Sequence, residues 1–208
     1  MLESLKNFPG LGNTMSGLDA DSNEMNNKFL GGMRWFGEID RDRSDIGPWK
    51  LDTGAWICAI LLRNISGGAL LGGNLARLTD AGSTDKNVYT QVEGYGNAAW
   101  LRSVVLIDPW IPTAGVADDE LFWGIIKGPA PGRTPQLSSS FLGELTPGGP
   151  VFCSADALGR ITGPKATPAS ATEAYQQSVS VLGTSTDNTY TNEKSTQQLV
   201  VWNIPIFG

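Results

Sequence analysis

The chain has 208 residues, enough for one well-buried core and few for two. It contains no histidine, which removes Ser-His and Cys-His nucleophiles, the common catalytic zinc sets and the 2-His-1-carboxylate iron site together. A formal charge of −6, with 15 basic residues scattered among 21 acidic ones, offers no basic patch for phosphate and argues against a nucleic-acid partner.

The 26 glycines and 12 prolines, with abundant Ser, Thr and Asn, favour turns and short strands over helices. The opening Met-Leu-Glu-Ser-Leu-Lys has neither the basic nor the apolar region of a signal peptide, so none is expected. The longest apolar run, residues 55–62, is too short to cross a bilayer, and no membrane partner is expected.

Residues 1–50 hold their apolar side chains in isolated knots: Phe8-Pro9, Phe29-Leu30, Trp35-Phe36 and Pro48-Trp49. Neither a 3.6- nor a 2-residue period runs through them, so the segment reads as an extended irregular arm. It is too aromatic for a solvated tail and orders either against a neighbouring chain or on its own domain. Arg34, Arg41 and Arg43 alternate with Glu38, Asp40, Asp42 and Asp45 and read as a solvated charged loop. Asp40-x-Asp42-x-Ser44 has the oxygen spacing of a calcium loop. Asp45 stands where such a loop needs Gly, however, and Leu51 where it needs Glu, so no metal is assigned.

From residue 51 onward a single β-rich domain is expected. Residues 55–62 form a continuous apolar run and a fully buried strand, ended by Arg63-Asn64 and the turn Ser66-Gly67-Gly68. Residues 69–79 alternate loosely around Gly72-Gly73, and Val88, Thr90 and Val92 give a period of two over 87–93. Residues 98–108, centred on Val104-Val105-Leu106-Ile107, are the strongest strand, stopped by Pro109 and Pro112. Residues 120–127 form the next, closed by Gly128-Pro129, and 128–150 read as loop. A hairpin joins 151–154 to 159–162. The last strands are 179–182 and 199–206, with 183–198 an exposed polar loop between them. Residues 172–177 are the best short helix. The fold class is all-β: a sandwich or barrel of short antiparallel strands behind an extended N-terminal arm.

Candidate chemistry is thin. The segment from Gly128 to Thr134 is one residue short of a phosphate loop, has Arg133 in place of Lys and loses two N–H donors to Pro129 and Pro131; it reads as a turn. Ser83-x-x-Lys86 matches one element of Ser/Lys acyl-transfer enzymes without its companions. Asp118-Asp119-Glu120 are adjacent, point to alternate faces, and read as an exposed turn. Asn64-Ile65-Ser66 is a glycosylation sequon without a secretion signal. Cys58 and Cys153 lie in apolar runs and read as buried thiols, a disulfide between them being left open. Trp56, Trp100, Trp123 and Trp202 fall within apolar strands and read as core or interface anchors, whereas Trp35, Trp49 and Trp110 lie outside them and are candidates for contacts with a partner. No enzyme activity and no cofactor is expected.

The order of segments carries a resemblance. A buried strand is followed by Asn64-x-Ser66-Gly67; then come Val104-Val105-Leu106-Ile107-Asp108-Pro109 with Ile111-Pro112. Gly115-Val116-Ala117-Asp118-Asp119-Glu120-Leu121-Phe122-Trp123 leads into Lys127-Gly128-Pro129. The hairpin from Pro147-Gly148-Gly149-Pro150-Val151-Phe152 to Gly159-Arg160-Ile161-Thr162 precedes Val181-Leu182-Gly183 and a final strand. Over residues 55–208 this pattern resembles the small all-β head-decoration, or cement, proteins of tailed bacteriophages. The resemblance implies a structural virion protein, assembled in the host cytoplasm, that sits on the outer capsid surface as a homo-oligomer, usually a trimer, and clamps subunits of the major capsid protein.

On that reading the arm residues Phe8, Phe29, Trp35, Phe36 and Trp49 make capsid contacts and Trp110 lies at an oligomer interface. Deleting residues 1–50 should then leave a folded body that no longer binds capsids. The alternative is a carbohydrate-binding β-sandwich, an adhesin or tail-associated receptor binder, which would use exposed Trp or Tyr such as Trp49 or Trp110.

Overall fold

A computed structural model of the chain describes residues 11–16, 30–37, 56–79, 90–96, 104–134, 145–154, 158–164, 181–191 and 196–204. These form eleven strands: β1 (Met15–Ser16), β2 (Met33–Gly37), β3 (Trp56–Asn64), β4 (Leu75–Leu78), β5 (Gln91–Tyr95), β6 (Val104–Ile107), β7 (Glu120–Thr134), β8 (Pro150–Cys153), β9 (Ile161–Thr162), β10 (Gly183–Thr191) and β11 (Thr196–Asn203). There is no helix among the described residues, and the fold is all-β.

Five strands close on themselves. β3 pairs with β5, β5 with β4, β4 with β6, β6 with β7, and β7 returns to β3. Only the β3–β5 contact is parallel; the other four are antiparallel. β7 is long enough to leave this ring, and its second half carries β11, then β10, β8 and β9.

The two-residue period of a strand turns this topology into two cores. One face of the ring strands points inward: Cys58, Ile60 and Leu62 of β3 meet Ala76, Leu78, Val92, Val105, Ile107, Phe122 and Ile126 in the lumen. The other face points out, where Ile57, Ala59, Leu61, Leu121, Trp123 and Ile125 are covered by Val151, Ile161, Leu182, Val200 and Trp202 of the second arc. β3 and the first half of β7 are therefore buried on both faces. That is why their sequences are unbroken apolar runs and not alternations.

Two expectations are corrected. First, the strand expected to end at Gly128 runs on to Thr134, so the segment read as a phosphate-loop-like turn is a strand. Arg133 N–H donates to Gly73 O at 2.7 Å, on the side away from β11. By alternation Pro129 and Pro131 also face away, and their missing N–H groups break no bond to β11. Gly128 sits at φ +98, where a Cβ would lie 2.2 Å from Trp56 O; glycine lets β7 kink there and pass from one partner to the next.

Second, the stretch 183–198, expected as an exposed loop, is most of the β10–β11 hairpin. β10 is polar but rich in β-branched Thr and is flanked by β8 and β11. Side chains of both strands bond across the hairpin, Thr186 Oγ1–H of β10 donating to Leu199 O at 3.0 Å and Gln198 Nε2–H of β11 to Thr186 O.

Of the two settings open to residues 1–50, a neighbouring chain or their own domain, the described parts take the second. β1 pairs with β7 and β2 with β3, and Leu11 is 1% exposed within the outer core. Gly12 N–H donates to Asp108 Oδ2, while Trp110 N–H donates to Oδ1 of the same buried carboxylate at 2.9 Å.

Other expectations hold. β8 and β9 form the hairpin, and Cys58 and Cys153 are buried free thiols in different cores. Burial pushes the Cys58 thiol up from its ordinary range, and nearby Lys127 only partly opposes this. The short helix at 172–177, the calcium-like run from residue 40, Ser83 with Lys86, and Trp100 lie outside the described residues.

Candidate interaction surface

The most distinctive exposed feature is apolar and lies where β2 meets β3. The register pairs Met33 with Ile60, Trp35 with Cys58 and Gly37 with Trp56, so all six share one face of the sheet. Ile60 and Cys58 are covered because β3 turns them into the ring lumen. β5 pairs with β3 only at Arg63 and Asn64, and β2 continues that edge outside the closed part of the ring. Among the described residues, no strand covers its side chains on this face. Met33 is 51% exposed, Trp35 55% and Trp56 58%.

Gly37 completes the strip: the Trp56 indole lies across it, with ring atoms 3.0 Å from where a Cβ would stand. On the opposite face β2 is anchored. Phe36 packs edge-on against Trp123 at 5.1 Å between centroids, and the Arg34 guanidinium lies 5.2 Å over the Phe36 ring. A strand fixed on one face and bare on the other holds its exposed aromatics in place at little further entropy.

The expected contact residues divide accordingly. Trp35 is exposed as expected, and Phe36 is a partly buried prop beneath it. Trp110 is a correction: it is 1% exposed in the outer core, so it has no surface to give to a subunit or a sugar. Its peptide turns inward at the buried Asp108, which is why a Trp between two prolines becomes core. Phe8, Phe29 and Trp49 lie outside the described residues. Trp56, read as a core or interface anchor, proves to be exposed. The only sequence signal was its place at the start of the apolar run.

The acidic turn is structural. Asp118 Oδ1 accepts from Gly67 N–H at 2.9 Å, Glu120 Oε2 from Ala117 N–H at 2.8 Å, and Asp119 lies 3.6 Å from Arg63. Beneath it the buried Asn64 Nδ2 donates to the carbonyls of Gly68, Val116 and Ala117 at 2.8–3.1 Å, and Oδ1 accepts from Ser66 N–H at 3.0 Å. The amide of the sequon is thus consumed as the tie between two loops. Comparison with protein-family models, curated proteins and solved structures finds no match to this chain.

Proposed function

We propose that this chain is a structural virion protein that decorates and reinforces a phage capsid, and that its described surface is built for association, not catalysis. The observation that carries the reading is the strip of Met33, Trp35 and Trp56: solvent-facing apolar side chains, two of them aromatic, on a doubly cored body, with no charge among them. Contiguous exposed apolar surface marks an interaction site in a folded protein, and tryptophan is the residue that most often dominates contact energy. A protein that binds only the assembled shell stabilises it by mass action, and needs rigid contact surfaces and no reacting group. The resemblance over residues 55–208 supplies the capsid as the partner, with Phe8, Phe29 and Trp49 as further proposed contacts.

Rate-zonal sedimentation of the native source material tests this, with the chain tracked by mass spectrometry. Migration with particles of capsid size, in fixed stoichiometry to the major capsid protein, is the expected result. Recovery only in the slow fractions would remove the capsid role. A glycan array would then take up the carbohydrate-binding alternative, with Trp35 and Trp56 in place of the buried Trp110.

A further inference from the structure

We propose that the open edge of β2 pairs with β2 of a second copy of this chain, antiparallel and about a two-fold axis at Trp35. The inference rests on reading the strip as an association surface, and not on the capsid as the partner.

The edge is open in backbone as well as side chain. β2 terminates the strand order, and no strand among the described residues lies beyond it. Leu61 N–H donates to Gly32 O at 3.0 Å, so residue 32, and by alternation Arg34 and Phe36, turn their N–H and C=O groups toward β3. Met33, Trp35 and Gly37 turn theirs outward. The residues whose peptide groups face the open edge are therefore the ones that carry the exposed apolar strip. An edge of this kind is normally blunted by charge, proline or a bulge. Here a glycine bulge, Gly31 and Gly32 opposite Leu61, ends the edge on one side, but within Met33–Gly37 the single charged side chain, Arg34, is folded over Phe36 on the other face.

The sequence Met33-Arg34-Trp35-Phe36-Gly37 is complementary to itself in one register. With Trp35 opposite Trp35 of the second copy, Met33 falls opposite Gly37 and Arg34 opposite Phe36. All three outward-facing pairs are then hydrogen-bonded pairs, each exchanging two backbone bonds. No like charges meet. Met33 finds the one position without a side chain, beside the Trp56 ring that lies over Gly37. Arg34, already stacked on its own Phe36, meets a second Phe36 across the strands.

The apolar surface offered by Met33, Trp35 and Trp56 is on the order of 300 Å² per copy, set against about 800 Å² per partner in a typical stable interface. The pairing is therefore weak in dilute solution and favoured where copies are crowded. A two-fold pairing gives dimers or even-numbered assemblies, in contrast to the trimer that the resemblance implies.

Disulfide trapping on the purified chain tests the register. Facing Cα atoms of a hydrogen-bonded pair are about 5.5 Å apart, within disulfide range, and Cys58 and Cys153 are buried away from oxidant. Trp35→Cys should form a covalent dimer at least tenfold faster than Met33→Cys, whose two copies stand four residues out of register. Sedimentation equilibrium should show wild type in reversible monomer–dimer exchange, weakened at least tenfold by Trp35→Lys. Equal trapping of both variants, no trapping of either, or a trimer in sedimentation would overturn the pairing. None of these results depends on particle sedimentation, so the pairing and the capsid role can fail separately.

Discussion

Replacing Gly124 with alanine puts a methyl group into the lumen of a ring of only five strands. Its Cβ would stand 2.4 Å from Val105 Cγ2, 2.7 Å from Leu62 Cδ1 and 3.2 Å from Val105 Cγ1. Val105 and Leu62 are both 0% exposed, so neither can swing into solvent. Overpacking of this kind costs about 1–3 kcal/mol, and two immovable neighbours place it near the top of that range. Alanine recovers about 0.4–1 kcal/mol by restricting the unfolded chain. The net loss is about 2 kcal/mol, or a fall in Tm of about 4–8 °C for a chain of this size.

Val105→Ala alone should also cost about 2 kcal/mol, through lost burial and the hole it leaves. In the double variant the methyl group introduced by Gly124→Ala refills that hole. Its loss should therefore fall short of the sum of the single losses by at least about 1 kcal/mol. Urea denaturation at 25 °C measures all three, with Gly68→Ala as a control, since nothing lies within 4 Å of a Cβ there. Additivity of the two substitutions within about 0.5 kcal/mol, or an unchanged midpoint for Gly124→Ala, would refute a closed, filled lumen.

Leu11→Ala should lower stability by about 2–4 kcal/mol, and deletion of residues 1–50 by more, because Leu11 and β2 are parts of the body; an unchanged thermal melt for the deletion would contradict this. Asn64→Ala removes one donor from three carbonyls that each keep another, Leu70 N–H on Val116 O, Glu120 N–H on Ala117 O and Ser66 Oγ–H on Gly68 O, and leaves Ser66 N–H without its acceptor, so it should cost about 1–3 kcal/mol; Asn64→Asp, which sets an acceptor against those carbonyls, should be no better in the same denaturation assay. Because burial raises the Cys58 pKa in the folded chain, the unfolded chain loses this proton first. The contribution of Cys58 is thus fully present below about pH 8.5 and is lost as pH rises through the folded value. Urea midpoints of wild type and Cys58→Ala should keep a constant gap from about pH 6 to 8 and then change it above about pH 8.5 at wild type's expense; a constant gap throughout would show that Cys58 titrates as freely folded as unfolded.

Residues 56–64, 104–107 and 120–127 declare themselves in the sequence because burial on both faces demands unbroken apolar composition, which no neighbour can disguise. The β8–β9 hairpin and the buried thiols follow from local pattern in the same way. The polar β10 does not, since Thr, Ser and Asn suit a strand or a loop equally until β8 and β11 flank it. Nor does the second half of β7, because whether Pro129 and Pro131 break a strand depends on which way their missing N–H would point. That direction is a property of register. The aromatic residues divide on the same ground. A local window gives Trp56 to the core or an interface and Trp110 to the surface. The structure leaves Trp56 exposed, because β2 beside it lies outside the closed part of the ring, and buries Trp110, whose peptide turns inward at the buried Asp108. Composition and local pattern thus determine that the chain is all-β and which strands are doubly buried. Ring closure, strand register and the placing of the N-terminal strands decide which aromatics remain exposed, because each depends on contacts between residues far apart in the chain.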